Sequence, residues 1–314
     1  MSFSRELQAN FETVPTSLTF SFKDTSTGIL TRTLWWPAKA GDPSAILVFV
    51  CGNPGIPVWY IDFLNSIRDR VSNSSLAILA IGHVGHAHDL PQPPSDASLS
   101  LQVQIDVANA TRRRLLQLFP NVPHIVIGHS IGAYIALQSP RDLLSCTTLT
   151  IALQPTISHM GSTSNGRVLK HIFTPWLIPF LASLGSILVH LFPFILPRMM
   201  SAWPKPALRT LEEFISCKEA TRSSMTMARD EFQKVRDLDR KLLQDVAPKL
   251  RILYSETGDK WVDQNSDEVI EVLGDNYAHQ IAFAPVPHAF CIEHSVLTAE
   301  AVLPWIEEAL TAVK

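Results

Sequence analysis

Five residues near the middle of the chain, Gly128-His129-Ser130-Ile131-Gly132, restrict its architecture more than any other feature. They lie directly between an apolar, β-branched run (His124–Ile127) and a helix-compatible run, AYIALQ. A strand can turn into a helix this abruptly only if the positions two before and two after the central serine are small, because the two backbones then pass close together. The turn lifts the Ser130 hydroxyl above the end of a sheet and sets it at a helix N-terminus, where the helix dipole and the Ile131 N–H face any negative charge developing there. A Gly-flanked turn whose serine merely caps the helix is the plainer alternative, and only partners elsewhere in the chain separate the two.

The runs around this turn predict its setting. Ala45–Val50 (AILVFV) and Leu76–Ile81 are continuously apolar, as strands covered on both faces must be. Residues 99–119 place Leu101, Ile105, Ala108, Leu115, Leu118 and Phe119 at helical spacing with Arg112 to Arg114 outward, so they read as a crossover helix. Strands are expected again at Thr147–Leu153, Leu250–Ser255 and Gln280–Ala284, with a last helix over Val296–Val313. Thr16–Phe22 and Ile29–Trp36, flanking a turn at Asp24–Gly28, predict a hairpin at the sheet edge. The whole is an α/β pattern, a mostly parallel central sheet flanked by helices. The strand rhythm stops over 158–246, where an apolar stretch precedes amphipathic patterns (Leu208, Leu211, Ile215; Met225, Ala228, Phe232, Val235). We therefore expect a core built from 1–157 and 247–314, interrupted by an inserted apolar helical cap over 158–246.

Composition narrows the partners. With 26 Lys+Arg against 29 Asp+Glu, the formal charge is −3, without the clustered basic excess of a nucleic-acid binder. No nucleic-acid partner is expected. Only 18% of residues are charged and 46% are hydrophobic, which points to a greasy surface somewhere. Cys51, Cys146, Cys217 and Cys291 lie far apart with no CxxC spacing, so neither a disulfide framework nor a zinc site is indicated, and a reducing compartment fits. The first residues mix Arg5, Glu6 and Glu12 with scattered apolar positions and lack the apolar run of a secretory signal, so the chain is expected on the cytosolic side.

A serine becomes nucleophilic only beside a base, and the base needs an acid to orient it. In this kind of sheet both follow the serine at later strand ends, acid first. Asp259 lies in Thr257-Gly258-Asp259-Lys260-Trp261 after the strand LRILYSE, and His288 lies in Pro287-His288-Ala289-Phe290 after QIAFA. Asp263 and Glu256 are rivals for the acid, but Asp263 reads as an N-cap for 264–273 and Glu256 is still beside its strand. His279 precedes its strand and His294 lies past the loop, so both read as ordinary histidines. His129 reads as a packed residue of the elbow. A second oxyanion donor is expected from Cys51-Gly52-Asn53-Pro54-Gly55 after AILVFV. Pro54 has no N–H, Gly52 allows close approach, and the N–H of Asn53 is the best-placed donor, the alternative being a plain chain-reversing turn. His83-Val84-Gly85-His86-Ala87-His88-Asp89 lacks a second ligand cluster for a metal. It follows a strand end, so it is expected to line the same rim as Ser130, with His83 or His86 on the substrate side. No metal or organic cofactor is expected.

Residues 171–197 contain no Asp, Glu, Lys or Arg. Pro175, Pro179, Pro193 and Pro197 punctuate them, and the 13 residues between Pro179 and Pro193 give about 20 Å of helix, short of a roughly 30 Å hydrocarbon core. An interfacial or re-entrant element fits better than a span, with Trp176, Trp203, Lys170, Arg198 and Lys205 at headgroup level. A cap packed wholly on its own enzyme is the alternative.

Taken together, GHSIGAY with Ser130, the Gly52–Gly55 loop followed by Trp59-Tyr60 and Phe63, His83-x-Gly85-His86, Asp259 with Trp261, and His288-Ala289-Phe290 resemble the lipid droplet-associated serine hydrolases from about residue 45 to the C-terminus. The resemblance implies an α/β-hydrolase fold and residence on a lipid droplet monolayer or endoplasmic reticulum membrane through 171–203. It also implies a part in sterol-ester or acylglycerol turnover. The expectation is a serine ester hydrolase for lipid esters: Ser130 attacks, His288 moves the proton, Asp259 orients His288, and the N–H groups of Ile131 and Asn53 hold the oxyanion. A soluble small-ester or thioester hydrolase, and a droplet-surface protein that organises lipid storage, are the alternatives.

Overall fold

The computed structural model describes residues 13–14, 17–23, 30–93 and 95–312. The Asp24–Gly28 turn, most of the N-terminal segment and Val313 lie outside them. Among the described residues a nine-stranded sheet has the order β1-β2-β3-β5-β4-β6-β7-β8-β9. Its strands are β1 (Thr13–Val14), β2 (Ser17–Lys23), β3 (Leu30–Trp36), β4 (Ala45–Val50), β5 (Leu76–Ile81), β6 (His124–His129), β7 (Thr147–Leu153), β8 (Leu250–Ser255) and β9 (Ile281–Ala284). β1, β2 and β3 are antiparallel, β3 meets β5 antiparallel, and every pair from β5 to β9 is parallel. The expected edge hairpin is the β2–β3 pair, in register from Leu18 with Trp35 to Lys23 with Leu30.

Why the central strands read as unbroken apolar runs is plain from their burial: every residue of β4, β5 and β6 is buried. Along β4, Leu47 and Phe49 join one core with Phe63, Leu64 and Ile67 of α1 (Ile61–Arg70), whereas Ile46, Val48 and Val50 face the other side. That other side is covered by α2 (Leu101–Leu118) and α3 (Ile131–Leu137). The chain leaves β4 for one neighbour, β5, and then returns to pair β6 on its opposite edge. Helices after β4 and β6 thus part to opposite faces, and a crevice opens above the carboxyl ends of these two strands.

After α4 (Arg141–Ser145) and β7, six helices intervene before the sheet resumes: α5 (Ser164–Ile172), α6 (Leu177–Leu191), α7 (Ile195–Met199), α8 (Lys205–Ser216), α9 (Lys218–Lys234) and α10 (Arg240–Val246). Pro179 does not break α6, since it occupies the first turn, where no backbone N–H has an intrahelical acceptor. The closing elements are α11 (Asn265–Leu273), α12 (Phe290–Glu293) and α13 (Ser295–Ala312). Val302 and Ile306 of α13 complete the core beside α1.

Two local expectations change. Asp263 does not cap α11: its carboxylate accepts from the N–H and the hydroxyl of Ser164, tying it to the start of α5. Arg112 does not point outward with Arg113 and Arg114. It is buried, donating to Ser139 Oγ at 2.5 Å, Thr147 Oγ1 at 2.7 Å and the Leu143 carbonyl at 3.2 Å. The helical period had placed it on the rim of the apolar stripe, and the acceptors that draw it inward come from the β6–β7 connection and the start of β7. Burial lowers its pKa to about 10, still well above neutrality. Replacing Arg112 with Leu should therefore destabilise the fold by about 2–4 kcal/mol in urea unfolding, because it strands buried acceptors. Arg113→Ala, at an exposed ion pair with Asp142, should cost less than about 1 kcal/mol.

Candidate active site

The end of β6 decides where the reactive groups can stand. A Cβ on Gly132 would strike the carbonyl oxygens of Val50 and Cys51, the latter at 2.5 Å, and one on Gly128 would meet the Ala133 Cα at 2.5 Å. Only glycine lets β4, β6 and α3 converge so closely. Ser130 between them takes φ 54° and ψ −123°, a backbone region that non-glycine residues occupy when a strained turn requires it. Its N–H is held by the Leu153 carbonyl at 2.9 Å and its carbonyl accepts from Ala133 N at 3.0 Å. The strain is thereby fixed by neighbouring strands.

Asp259 and His288 reach this point from the loops that follow β8 and β9, beyond the intervening β7. Ser130 Oγ lies 3.0 Å from His288 Nε2, and His288 Nδ1 lies 2.6 Å from Asp259 Oδ2. Asp259 accepts only, so Nδ1 carries the proton and Nε2 keeps the lone pair that the serine hydroxyl donates to. Asp259 Oδ1 accepts from Trp261 N at 2.8 Å, which locks the carboxylate plane. A hydroxyl, a base and an orienting acid in this order can activate the serine for attack on a carbonyl carbon.

A buried relay that the sequence did not reveal stands behind them. Gly52 N–H donates to the Tyr60 hydroxyl at 3.2 Å, Tyr60 lies 2.7 Å from His129 Nδ1, and His129 Nε2 lies 2.9 Å from the His288 carbonyl. A carbonyl can only accept, so His129 carries its proton on Nε2 and accepts a hydrogen bond from the Tyr60 O–H at Nδ1. Burial holds the His129 pKa well below its ordinary value and raises that of Tyr60, so both are neutral and the direction of the relay is fixed. Gln154, at φ 38°, adds its Nε2–H to the Pro287 carbonyl at 3.4 Å. His129 is thus a packed residue of the elbow, and it also carries the loop that bears His288.

Asn53 and Ser130 line one cavity of about 420 Å³ with Tyr60, His129 and His288 on the floor. Its roof comes from Phe173, Trp203, Phe214, Met225 and Ala228 of the helical insertion. The Asn53 side chain turns to α9: Nδ2 donates to the Ser224 carbonyl at 3.1 Å and to Glu231 Oε1 at 2.8 Å, and Oδ1 accepts from Ser224 Oγ at 2.6 Å. With its amide engaged, Asn53 has its backbone N–H to offer a ligand. The Ile131 N–H, first in α3, has no intrahelical acceptor.

The rim expectation for His83 and His86 is corrected. Neither lines the Ser130 cavity. Both are buried, their rings edge to face at 5.4 Å, and His86 Nδ1 is 2.7 Å from the Pro54 carbonyl. A Cβ on Gly55, at φ 66°, would enter the His83 ring. These histidines pack beneath the Asn53–Gly55 loop because the β5 end runs beside β4 and its following turn folds under that loop. Burial lowers His86 to about 4 and His83 also well below its ordinary value, so the pair is uncharged. Among the described residues no group of His, Cys, Asp and Glu is arranged to hold a metal. Burial also raises Cys51, and raises Cys291 to about 12, so neither supplies a thiolate.

Comparison with known proteins extends these observations. A family model described as lipid-droplet associated hydrolase matches residues 43–291. A lipid droplet-associated hydrolase of Drosophila melanogaster is 24% identical over 296 residues, covering 87% of this chain and 92% of that one. Its counterpart from Gallus gallus is 24% identical, covering 86% of each. Among solved structures, a haloalkane dehalogenase from Agrobacterium tumefaciens superposes with a TM-score of 0.69 at 13% identity, covering 93% of this chain and 98% of its own. An epoxide hydrolase from Vigna radiata gives 0.64 at 13%, covering 95% and 100%. These likenesses establish the α/β-hydrolase fold.

The relay gives a direct expectation. Tyr60→Phe leaves the Gly52 N–H and His129 Nδ1 without a partner in a buried place, which should cost about 1–3 kcal/mol in denaturant unfolding. His124→Gln is the control outside the relay: because His124 is no part of the contacts to His288, the control should leave the reactivity of Ser130 toward a phosphonate probe at the wild-type rate, whereas Tyr60→Phe should slow it.

Proposed function

The chain belongs to the lipid-droplet associated hydrolase family, and on that premise we propose that it is a serine ester hydrolase acting on lipid esters, sterol esters or acylglycerols, at the lipid droplet surface. The observation that carries the reading is the line from Ser130 Oγ through His288 to Asp259, at 3.0 and 2.6 Å, on the floor of an apolar cavity. In this mechanism Ser130 attacks the ester carbonyl while His288 Nε2 takes its proton. Asp259 keeps the imidazole oriented and balances its positive charge. The N–H groups of Ile131 and Asn53 bind the oxyanion of the tetrahedral intermediate. Its collapse expels the alcohol, protonated by His288, and water then releases the acyl group by the same route.

The surface of the insertion supports a lipid-facing site. Phe180, Leu184, Ile187, Leu188 and Leu191 fall on one side of α6 and are exposed, with Trp176, Phe194 and Met199 beyond its ends. Exposure reaches 75% at Trp176, 66% at Leu191 and 70% at Met199, where a solvated helix would carry charge. No single helix among the described residues is long and apolar enough to cross a membrane, although α5 and α6, bent by 95°, pass that test as a pair. A face resting in a monolayer fits this geometry, with Lys170, Arg198 and Lys205 at headgroup level. The four cysteines are free, in keeping with the cytosolic face of droplets and endoplasmic reticulum as the finer location.

A fluorophosphonate probe tests the chemistry. Wild-type protein should label at Ser130, and labelling should vanish in Ser130→Ala and drop by at least about a thousandfold in rate in His288→Ala. A folded wild type that does not label would overturn the hydrolase reading. Flotation with artificial triacylglycerol droplets tests the surface: Phe180→Glu with Leu191→Glu should reduce the bound fraction at least about tenfold, with the circular dichroism spectrum unchanged.

A further inference from the structure

One polar atom of the roof has no role in that mechanism. Glu231 is fully buried within α9, on the wall of the Ser130 cavity. Its Oε1 accepts from Asn53 Nδ2 at 2.8 Å, and its Oε2, also buried, has no hydrogen-bond partner. The orientation of the Asn53 amide is fixed, since the same Nδ2 faces a carbonyl oxygen at Ser224 and Oδ1 accepts the Ser224 hydroxyl. Oε1 is therefore an acceptor, and a proton on this carboxyl resides on Oε2. The other polar side chains of the roof that line the cavity are satisfied: Thr221 Oγ1 donates to the Phe214 carbonyl at 3.0 Å and Ser224 Oγ to Asn53.

Burial pushes the Glu231 carboxyl up to about 8, assisted by the neighbouring Asp230, so the neutral acid predominates at pH 7. Asp230 itself is held by Lys234 at 3.0 Å and by the Leu101 N–H at 2.7 Å, on the outer side of α9. A neutral carboxyl buried in the wall of an apolar cavity carries one O–H, which stays unmatched when only hydrocarbon lies against it.

From this placement we infer that Glu231 is a specificity-determining residue, whose Oε2 pairs with a hydroxyl or carbonyl oxygen that the ligand carries beside its scissile ester. The cavity then favours the ester of a polyol over an ester whose alcohol is hydrocarbon throughout. That this ligand is a substrate rests on the ester-hydrolase reading of the cavity, but the binding preference does not.

Two non-hydrolysable probes, dodecylglycerol ether and dodecyl methyl ether, separate these outcomes when titrated calorimetrically into the full-length protein. Wild type should bind the glycerol ether about tenfold more tightly, the effect of one buried hydrogen bond. Glu231→Gln, which keeps an acceptor for Asn53 and an N–H in place of the O–H, should keep the preference, and Glu231→Met should erase it. A wild type without preference, a preference surviving in Glu231→Met, or one lost in Glu231→Gln would overturn the proposal. Difference infrared spectroscopy of wild type gives a reading that does not depend on how Glu231→Met folds. A protonated-carboxyl band absent from Glu231→Gln should move to lower frequency with the glycerol ether alone, and a band that stays in place would overturn the assignment. Fluorophosphonate labelling of the same preparations reports on Ser130 separately, so failure of the hydrolase reading is seen independently of these titrations.

Discussion

The approach of Gly132 to the carbonyl oxygens of Val50 and Cys51 is the contact on which the rest of the site depends. It sets the separation of β4, β6 and α3 at a value no side chain would permit. Ser130 must then turn through a positive φ, α3 must begin at Ile131, and the loop after β4 must pass beside the serine. A Cβ on Gly52 would lie 2.8 Å from His129 Nδ1 and 3.0 Å from Ser130 Cβ, so that loop and the elbow are as tightly joined as strand and helix. The placing of Ser130, the helix N-terminus and Asn53 follows from one close packing of backbones.

Floor and roof of the cavity are built on different physics. Beneath the serine, polar groups are matched through Gly52, Tyr60, His129 and the His288 carbonyl, which fixes three loops at once without a charge. Above it, Phe173, Trp203, Phe214 and Met225 supply an apolar wall of adaptable shape, and α6 packs outside that wall with its own apolar side uncovered. A rigid polar floor suits chemistry that tolerates little displacement. An apolar roof would suit the acyl chains of the proposed lipid esters, whose contacts are non-directional.

What could be read from the sequence was what local rules enforce. The elbow needs its two glycines within five residues, and Asp259 and His288 occupy strand ends whose order is fixed by the winding of the sheet. Strand boundaries at β4 and β5 matched because a strand buried on both faces has no polar position to blur them. Arg112 was misplaced because helical period assigns a direction from the helix alone, while Ser139 and Thr147 draw the guanidinium inward. Asp263 sits at φ 49° and answers to Ser164, 99 residues earlier, which no local capping pattern encodes. His83 and His86 followed a strand end and so looked like rim residues, but the depth of a loop is a tertiary property. The roles of Tyr60, Gln154 and Glu231 left no signal, since the partners through which they act, His129, the Pro287 carbonyl and Asn53, lie 69, 133 and 178 positions away.

The three bonds between Asn53 and α9 bear on which part of the roof can give. They stitch α9 to the floor beside the serine, and Trp59 Nε1 does the same for α8 by donating to the Ala207 carbonyl at 3.2 Å, whereas α6 meets the other roof helices through hydrocarbon and the bond from Ser186 Oγ to the Ser216 carbonyl. The helix held by the fewest polar bonds is thus the one with the bare apolar side, and any adjustment of the roof to a bulky guest falls more easily to the hydrocarbon contacts of α6 than to the seam beside the serine.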